Sequence, residues 1–248
     1  LSGLEAAVNL TDLSLNSNVI SDVRPLAPLT NLKRLDLGPS GFLDGNPISD
    51  VSPLASLTNL EYLNLENNQI SDIRPLAALT NLTELSLSSP GKGNQVRDVG
   101  PLASLAALVS LNLGYNQIGD VRPLASLTNL EYLSLSKNQV RDVGPLASLP
   151  HLTSLDLMDN QINDVGPLAA FTTLDRLDLS KNGISDITPL ASLTNLKYLN
   201  LWSNPISDVR PLASLTNLTN LGLGYDRISD VSPLASLTNL TSLVLMEN

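Results

Sequence analysis

A unit of 22 residues, well represented by Leu57–Ala78 (LTNLEYLNLENNQISDIRPLAA), recurs from one end of the chain to the other. Copies begin at Ala7, Leu29, Leu57, Leu79, Leu105, Leu127, Leu149, Phe171, Leu193, Leu215 and Leu237. A fixed period of this length means that one small structural unit stacks on its own copies, because a single unit cannot bury its apolar face alone. The expected shape is an elongated solenoid with one core running along it. On this reading residues 1–248 form a single domain of about eleven repeats, incomplete at both ends: residues 1–6 are the tail of a preceding unit and the copy at Leu237 stops early. The chain opens without methionine, and Leu1, Gly3 and Leu4 fill the places of a later V-x-P-L. Asn248 ends the last repeat just after its strand, so a piece of a longer protein is expected.

Each position of the unit has a physical role. Leucines at positions 4, 7 and 9 (Leu60, Leu63 and Leu65 in the reference copy) bracket a short strand, with 7 and 9 pointing the same way. Parallel strands from successive copies then stack roughly 4.8 Å apart, and their leucines merge into one core. Position 12 is asparagine in every copy that reaches it except at Asp226. A buried amide there is expected to bond turn backbone groups of adjacent rungs. Position 16 is aspartate in all ten complete copies and precedes V/I-x-P-L-A. An acceptor side chain followed by proline reads as the N-cap of a short helix, of 3₁₀ type.

The net charge of −10 equals the contribution of those ten aspartates; the remaining 14 acidic residues face 14 basic ones. The acidity is thus mainly structural, and no basic stripe suited to nucleic acid is present. The chain has no cysteine, which excludes disulfides, thiol catalysis and cysteine-bound zinc. Its one histidine, His151, replaces the usual asparagine of position 3 and reads as a solvent-facing turn residue. Without a nucleophile–histidine set or metal-ligand spacing, neither catalysis nor a cofactor is expected. No apolar run approaches the ~18–20 residues of a membrane span. Gly91-Lys92-Gly93 lacks the remainder of a phosphate loop.

The informative positions are those that the repeat leaves free. Positions 6, 8 and 10 alternate with the leucines and face outward, and position 11 lies at the sheet edge. Tyr62, Tyr132 and Tyr198 occupy position 6, Trp202 position 10, and Tyr115 and Tyr225 position 11. All five tyrosines and the single tryptophan therefore fall on or beside one face, densest through Met158, Tyr198, Trp202, Tyr225 and Met246. Such side chains bury much area at low rotamer cost, as protein interfaces require. Asp156 and Asp178 should lie side by side, flanked by Asp159 and Asp175, with Arg176 and Lys181 as counter-charges. This pair reads either as a pocket for a partner's basic side chain or a weak calcium site, or as a solvated, neutralised network. Lys33, Arg34 and Asp36 form a second charged spot. Two copies are over-length, through Gly38–Gly45 (which contains Phe42) and Ser88–Gly93, both on one edge, where they either form a lip or are tolerated insertions.

The leucine skeleton L-x-x-L-x-L-x-x-N-x-I follows the leucine-rich-repeat pattern. The full unit, L-T-N-L-x-x-L-x-L-x-x-N-x-I-S-D-V-x-P-L-A-S, resembles the internalin-type repeat of bacterial surface proteins over essentially the whole chain. The resemblance implies an α/β fold, a right-handed horseshoe with a parallel sheet on its concave face and short 3₁₀ helices on its convex face. It also implies a non-catalytic protein that binds a protein partner through the concave face, with cell-surface or secreted location. The expected partner-binding set is Arg34, Asp36, Tyr62, Tyr115, Tyr132, Asp156, Met158, Arg176, Asp178, Tyr198, Trp202 and Tyr225, in a monomer that neither inserts in a membrane nor binds nucleic acid. A glycan-binding receptor using Trp202, Asn200 and Asp178, and a structural spacer or assembly rod, are the alternatives.

Overall fold

The computed structural model describes residues 1–40, 45–91 and 93–248. Eleven three-residue strands are found among them: β1 Asp12–Ser14, β2 Arg34–Asp36, β3 Tyr62–Asn64, β4 Glu84–Ser86, β5 Ser110–Asn112 and β6 Tyr132–Ser134, followed by β7 Ser154–Asp156, β8 Arg176–Asp178, β9 Tyr198–Asn200, β10 Asn220–Gly222 and β11 Ser242–Val244. They form one parallel sheet in chain order. Each strand pairs with the next at identical repeat positions, as in Leu63↔Leu85 and Asp156↔Asp178. The strands span positions 6 to 8, so the position-7 leucine points inward and its two neighbours outward. Leu60, Leu63 and Leu65 are fully buried, as are their counterparts along nearly the whole stack, and together they make one continuous core. Phe171 takes a leucine's place in that core at 2% exposure.

Short 3₁₀ helices such as Arg74–Ala78 and Arg122–Ser126 line the opposite side, each but the first (Leu4–Ala6) with proline in its first turn. The repeated aspartate is displaced by one residue from its expected role. The N-cap itself is the Val or Ile of position 17, buried in every copy but the one at Val231, and it makes no side-chain cap bond. Asp72 instead stands one residue earlier, and its Oδ1 accepts the N–H of Arg74 at 3.0 Å. This closes an Asx-turn that leads into the helix. Where position 18 is arginine, the guanidinium also grips the carboxylate, as in Arg74–Asp72 and Arg122–Asp120. Those side-chain bonds, and then the backbone N–H, hold Asp22, Asp72, Asp120 and Asp208 down at about 2.

The position-12 asparagines form the expected ladder. Asn138 donates to the carbonyls of Leu113, Leu135 and Ser136, while its Oδ1 accepts the N–H of Ile118. Two further ladders come from position 3, expected to face solvent in its turn, and from position 22, to which the sequence pattern assigned no role. Position-3 asparagines donate to the preceding rung, as from Asn81 to Thr58 O at 2.9 Å. Position-22 serines do the same, as from Ser126 Oγ to Ala103 O at 2.9 Å. His151 is exposed in its turn. Among the described residues no helix is long and apolar enough to cross a membrane.

Candidate functional site

In-register parallel pairing fixes the composition of the open sheet face. A residue at one position lies beside the same position of the next copy, roughly 4.8 Å away. Arginine and tyrosine in consecutive position-6 places therefore meet. The Arg34 guanidinium carbon lies 4.0 Å from the Tyr62 ring centroid, and that of Arg176 lies 3.6 Å from Tyr198. At the edge, Lys137 sits 4.8 Å over Tyr115 and Lys181 5.0 Å over Trp202. Contacts of this kind contribute about 0.5–1 kcal/mol each at exposed sites.

Arg176 and Lys181 were the candidate counter-charges for Asp156 and Asp178, neutralisation being one of the two readings of that pair. They lie over rings instead, and neither carboxylate has an ion-pair partner among the described residues. Neutral donors take that place. Asp156 accepts the N–H of Met158 at 3.0 Å and Ser134 Oγ at 3.0 Å. Asp178 accepts the N–H and hydroxyl of Ser180 and the amide of Asn200 at 3.0 Å, with Tyr198 Oη at 3.5 Å. Burial, together with the adjacent Asp178 charge, raises the Asp156 carboxyl above the usual carboxylate range, against the pull of the Met158 N–H. Of the flanking acids, Asp175 lies 3.4 Å from Lys197, and Asp159 occupies a left-handed turn.

Beyond Asp178 the face hollows into a cavity of about 250 Å³. Tyr198, Asn200 and Trp202 form one wall and Ser242 and Val244 the other, with Asn220, Leu221 and Gly222 between them. Gly222 is why the space is open. Position 8 carries a side chain in every other copy, and a Cβ here would fall 2.4 Å from Asn200 Oδ1. Trp202 also meets Tyr225 in a T-shaped contact, with centroids 5.1 Å apart and planes at 73°. The anticipated cluster is thus assembled around Tyr198, Trp202 and Tyr225, whereas Met158 and Met246 do not line the cavity. Gly222, Asn220 and Val244 were missed by sequence reasoning. The lone glycine in the position-8 column was the available signal.

The other expected residues lie in separate patches. Arg34, besides capping Tyr62, comes within 3.5 Å of Asp12, and Asp36 accepts the N–H of Gly38. Lys33 is engaged by Glu61 at 2.8 Å. Tyr132 stands 37% exposed at the centre of the sheet. Nearby, Glu66 reaches across rungs to Ser86 and Asn112. Tyr115 and Tyr225 adopt φ of 58°, as do other position-11 residues near this value, none of them glycine. A tyrosine gains nothing from that left-handed backbone, which favours glycine and asparagine, so secondary-structure preference does not explain its presence.

The described flanks of the two insertions approach one another across β3's rung. Gly91 donates to Asn67 Oδ1 at 3.2 Å, and a Cβ on Gly45 would fall 2.5 Å from Asn67 O. A second cavity, of about 270 Å³, lies between them. Phe42 and Lys92, which belong to the expected lip, lie outside the described residues. Among the described residues no group of three or more His, Asp or Glu side chains is placed to hold a metal ion.

The family described as leucine-rich repeats matches residues 8–56, 42–78, 58–90, 80–126, 128–170 and 172–214. Among solved structures, the internalin InlF of Listeria monocytogenes is 37% identical over 97% of this chain and 82% of its own, with a TM-score of 0.77. The internalin InlC2 of the same organism is 33% identical over 97% of this chain and 83% of its own, at 0.60. A plant peptide-hormone receptor, RGFR1, in complex with RGF2, shares the fold at 20% identity and 0.67, over 98% of this chain and 48% of its own. No curated protein matches the chain.

Proposed function

Since the chain belongs to the leucine-rich-repeat family, in its internalin-type bacterial branch, we propose that its open sheet face binds a protein partner. Leucine-rich-repeat proteins serve as protein-interaction modules, and the fold is typically non-catalytic. The observation that carries the reading to this chain is the placement of every tyrosine and the only tryptophan on or beside one face. Tyr198, Trp202 and Tyr225 are its main anchors, and Arg34, Asp36, Tyr62, Tyr115, Tyr132, Asp156, Met158, Arg176 and Asp178 complete the contact set. The rings are already oriented by Arg176, Lys181 and each other, so little rotamer freedom is lost on binding. The same arrangement speaks against a sugar, which needs an open ring face: Lys181 and Tyr225 crowd Trp202.

The test is a binding screen of the purified chain against a panel of extracellular proteins, run beside a Tyr198→Ala, Trp202→Ala, Tyr225→Ala variant whose circular dichroism matches the parent. A protein bound by the parent and released by the variant is expected. Each anchor should account for about 1–3 kcal/mol, the range of interface hot spots. Equal binding by both chains would remove this patch from the site. Capture of nothing would favour a structural spacer.

A further inference from the structure

We infer that the β8–β11 end of the face selects a partner segment pairing an apolar side chain, seated between Tyr198, Trp202 and Val244, with a lysine or arginine directed at Asp156 and Asp178. This rests on the protein-recognition reading above and adds the chemistry of the partner.

The first support is the cavity. It has room for one large side chain, its walls include two aromatic rings, and no charged residue lines it. The second, independent support is how charge is distributed. At positions 6, 8, 10 and 11 eight acidic residues face four basic ones. All four basic side chains (Arg34, Lys137, Arg176 and Lys181) lie over aromatic rings. Of the acids in this region, Asp156 and Asp178 are bonded by neutral groups and keep their negative charge uncompensated. Placing two carboxylates in register on adjacent strands destabilises a sheet unless something offsets it. A partner's cation would do so, and an acidic partner would be repelled.

The third support is spacing. Asp178 bonds Asn200, which is itself part of the cavity wall. From β8 to Gly222 on β10 is two strand spacings, roughly 10 Å, which an extended segment covers in about three residues. One short loop can therefore satisfy both features at once.

A random-peptide library displayed on phage, panned against the folded chain, provides the test. Trp202 is the only tryptophan and lines the cavity, so its fluorescence reports occupancy for each synthesised clone. Enriched clones should carry lysine or arginine within a few residues of a large apolar residue. Asp156→Asn with Asp178→Asn, an isosteric change, should weaken them about tenfold, and raising the salt concentration should do likewise. Ser242→Tyr should abolish binding by filling the cavity; tyrosine already occupies this strand position in three other copies, so folding is not at stake. Clones that respond to Ser242→Tyr but lack basic residues, or ignore the aspartate changes, would overturn the proposed chemistry while leaving the recognition face standing. Clones insensitive to every change on the face would overturn both.

Discussion

Asp226 is the one residue that breaks the asparagine ladder, and it does so at a cost. Its Oδ1 accepts the N–H of Asn204 at 2.8 Å, but among the described residues Oδ2 has no partner, and the residue is only 8% exposed. In other copies that second atom is an amide nitrogen donating to carbonyls, as Asn182 does to Leu157, Leu179 and Ser180. A carboxylate oxygen there has nothing to give. Burial accordingly raises the Asp226 carboxyl to about 6, despite the N–H groups of Asn204 and Ile206. A folded-state value above the unfolded one means that the group favours folding while protonated, and that this contribution is lost as pH rises from about 4 through 6. Asp226→Asn is expected to stabilise the chain at pH 7 by about 2–3 kcal/mol and to change little at pH 4. Urea denaturation at both values checks this, and equal gains at both would refute the protonation account. The arginine-gripped aspartates act in the opposite sense, stabilising above the ordinary carboxylate range and releasing that support as pH falls towards about 2. The departure at Asp226 was legible in the column of asparagines. That it left a buried oxygen unpaired was not, because this depends on which carbonyls the neighbouring rungs aim at it.

Among the elements, strand and helix are both too short to persist alone, with three and mostly five residues. They persist because each side-chain ladder ties a rung to the one before it. Asn138→Ala tests this: it removes three donations to carbonyls and the acceptor for the Ile118 N–H. Each buried group left unpaired costs about 1–3 kcal/mol, so a loss of several kcal/mol by chemical denaturation is expected, against almost none for the exposed His151→Ala. The sequence made the leucine core, the strands and this ladder readable because each depends only on position within the repeat. It misplaced the aspartate by one residue, since N-cap and Asx-turn share the same acceptor and proline spacing. It left the role of Arg176 and Lys181 open, because charge alone suggested the carboxylates while the competing rings belong to the next copy. The cavity was harder still to foresee, being made by an absent side chain at Gly222 together with residues of three rungs.

For the molecule as a whole, identical positions paired from end to end mean that rungs are interchangeable as units. Removing residues 127–148 would place β5 beside β7 with every leucine column, asparagine and serine ladder still in step. Such a deletion is expected to fold cooperatively with a lower thermal midpoint, whereas removing half as many residues would break the register and fail to fold; circular dichroism melts distinguish the two. The cation–ring contacts are different in kind, because each straddles two neighbouring copies. Loss of residues 193–214 would erase Tyr198 and Trp202 and set Asp178 directly beside Gly222. The surface behaves like lines of type on a common feed: the paper advances by one fixed step whichever line is printed, and the message changes whenever a line is copied, dropped or moved. Near-identical repeats invite such exchange at the level of the gene, so the fold that makes this face rigid also makes what it recognises easy to revise.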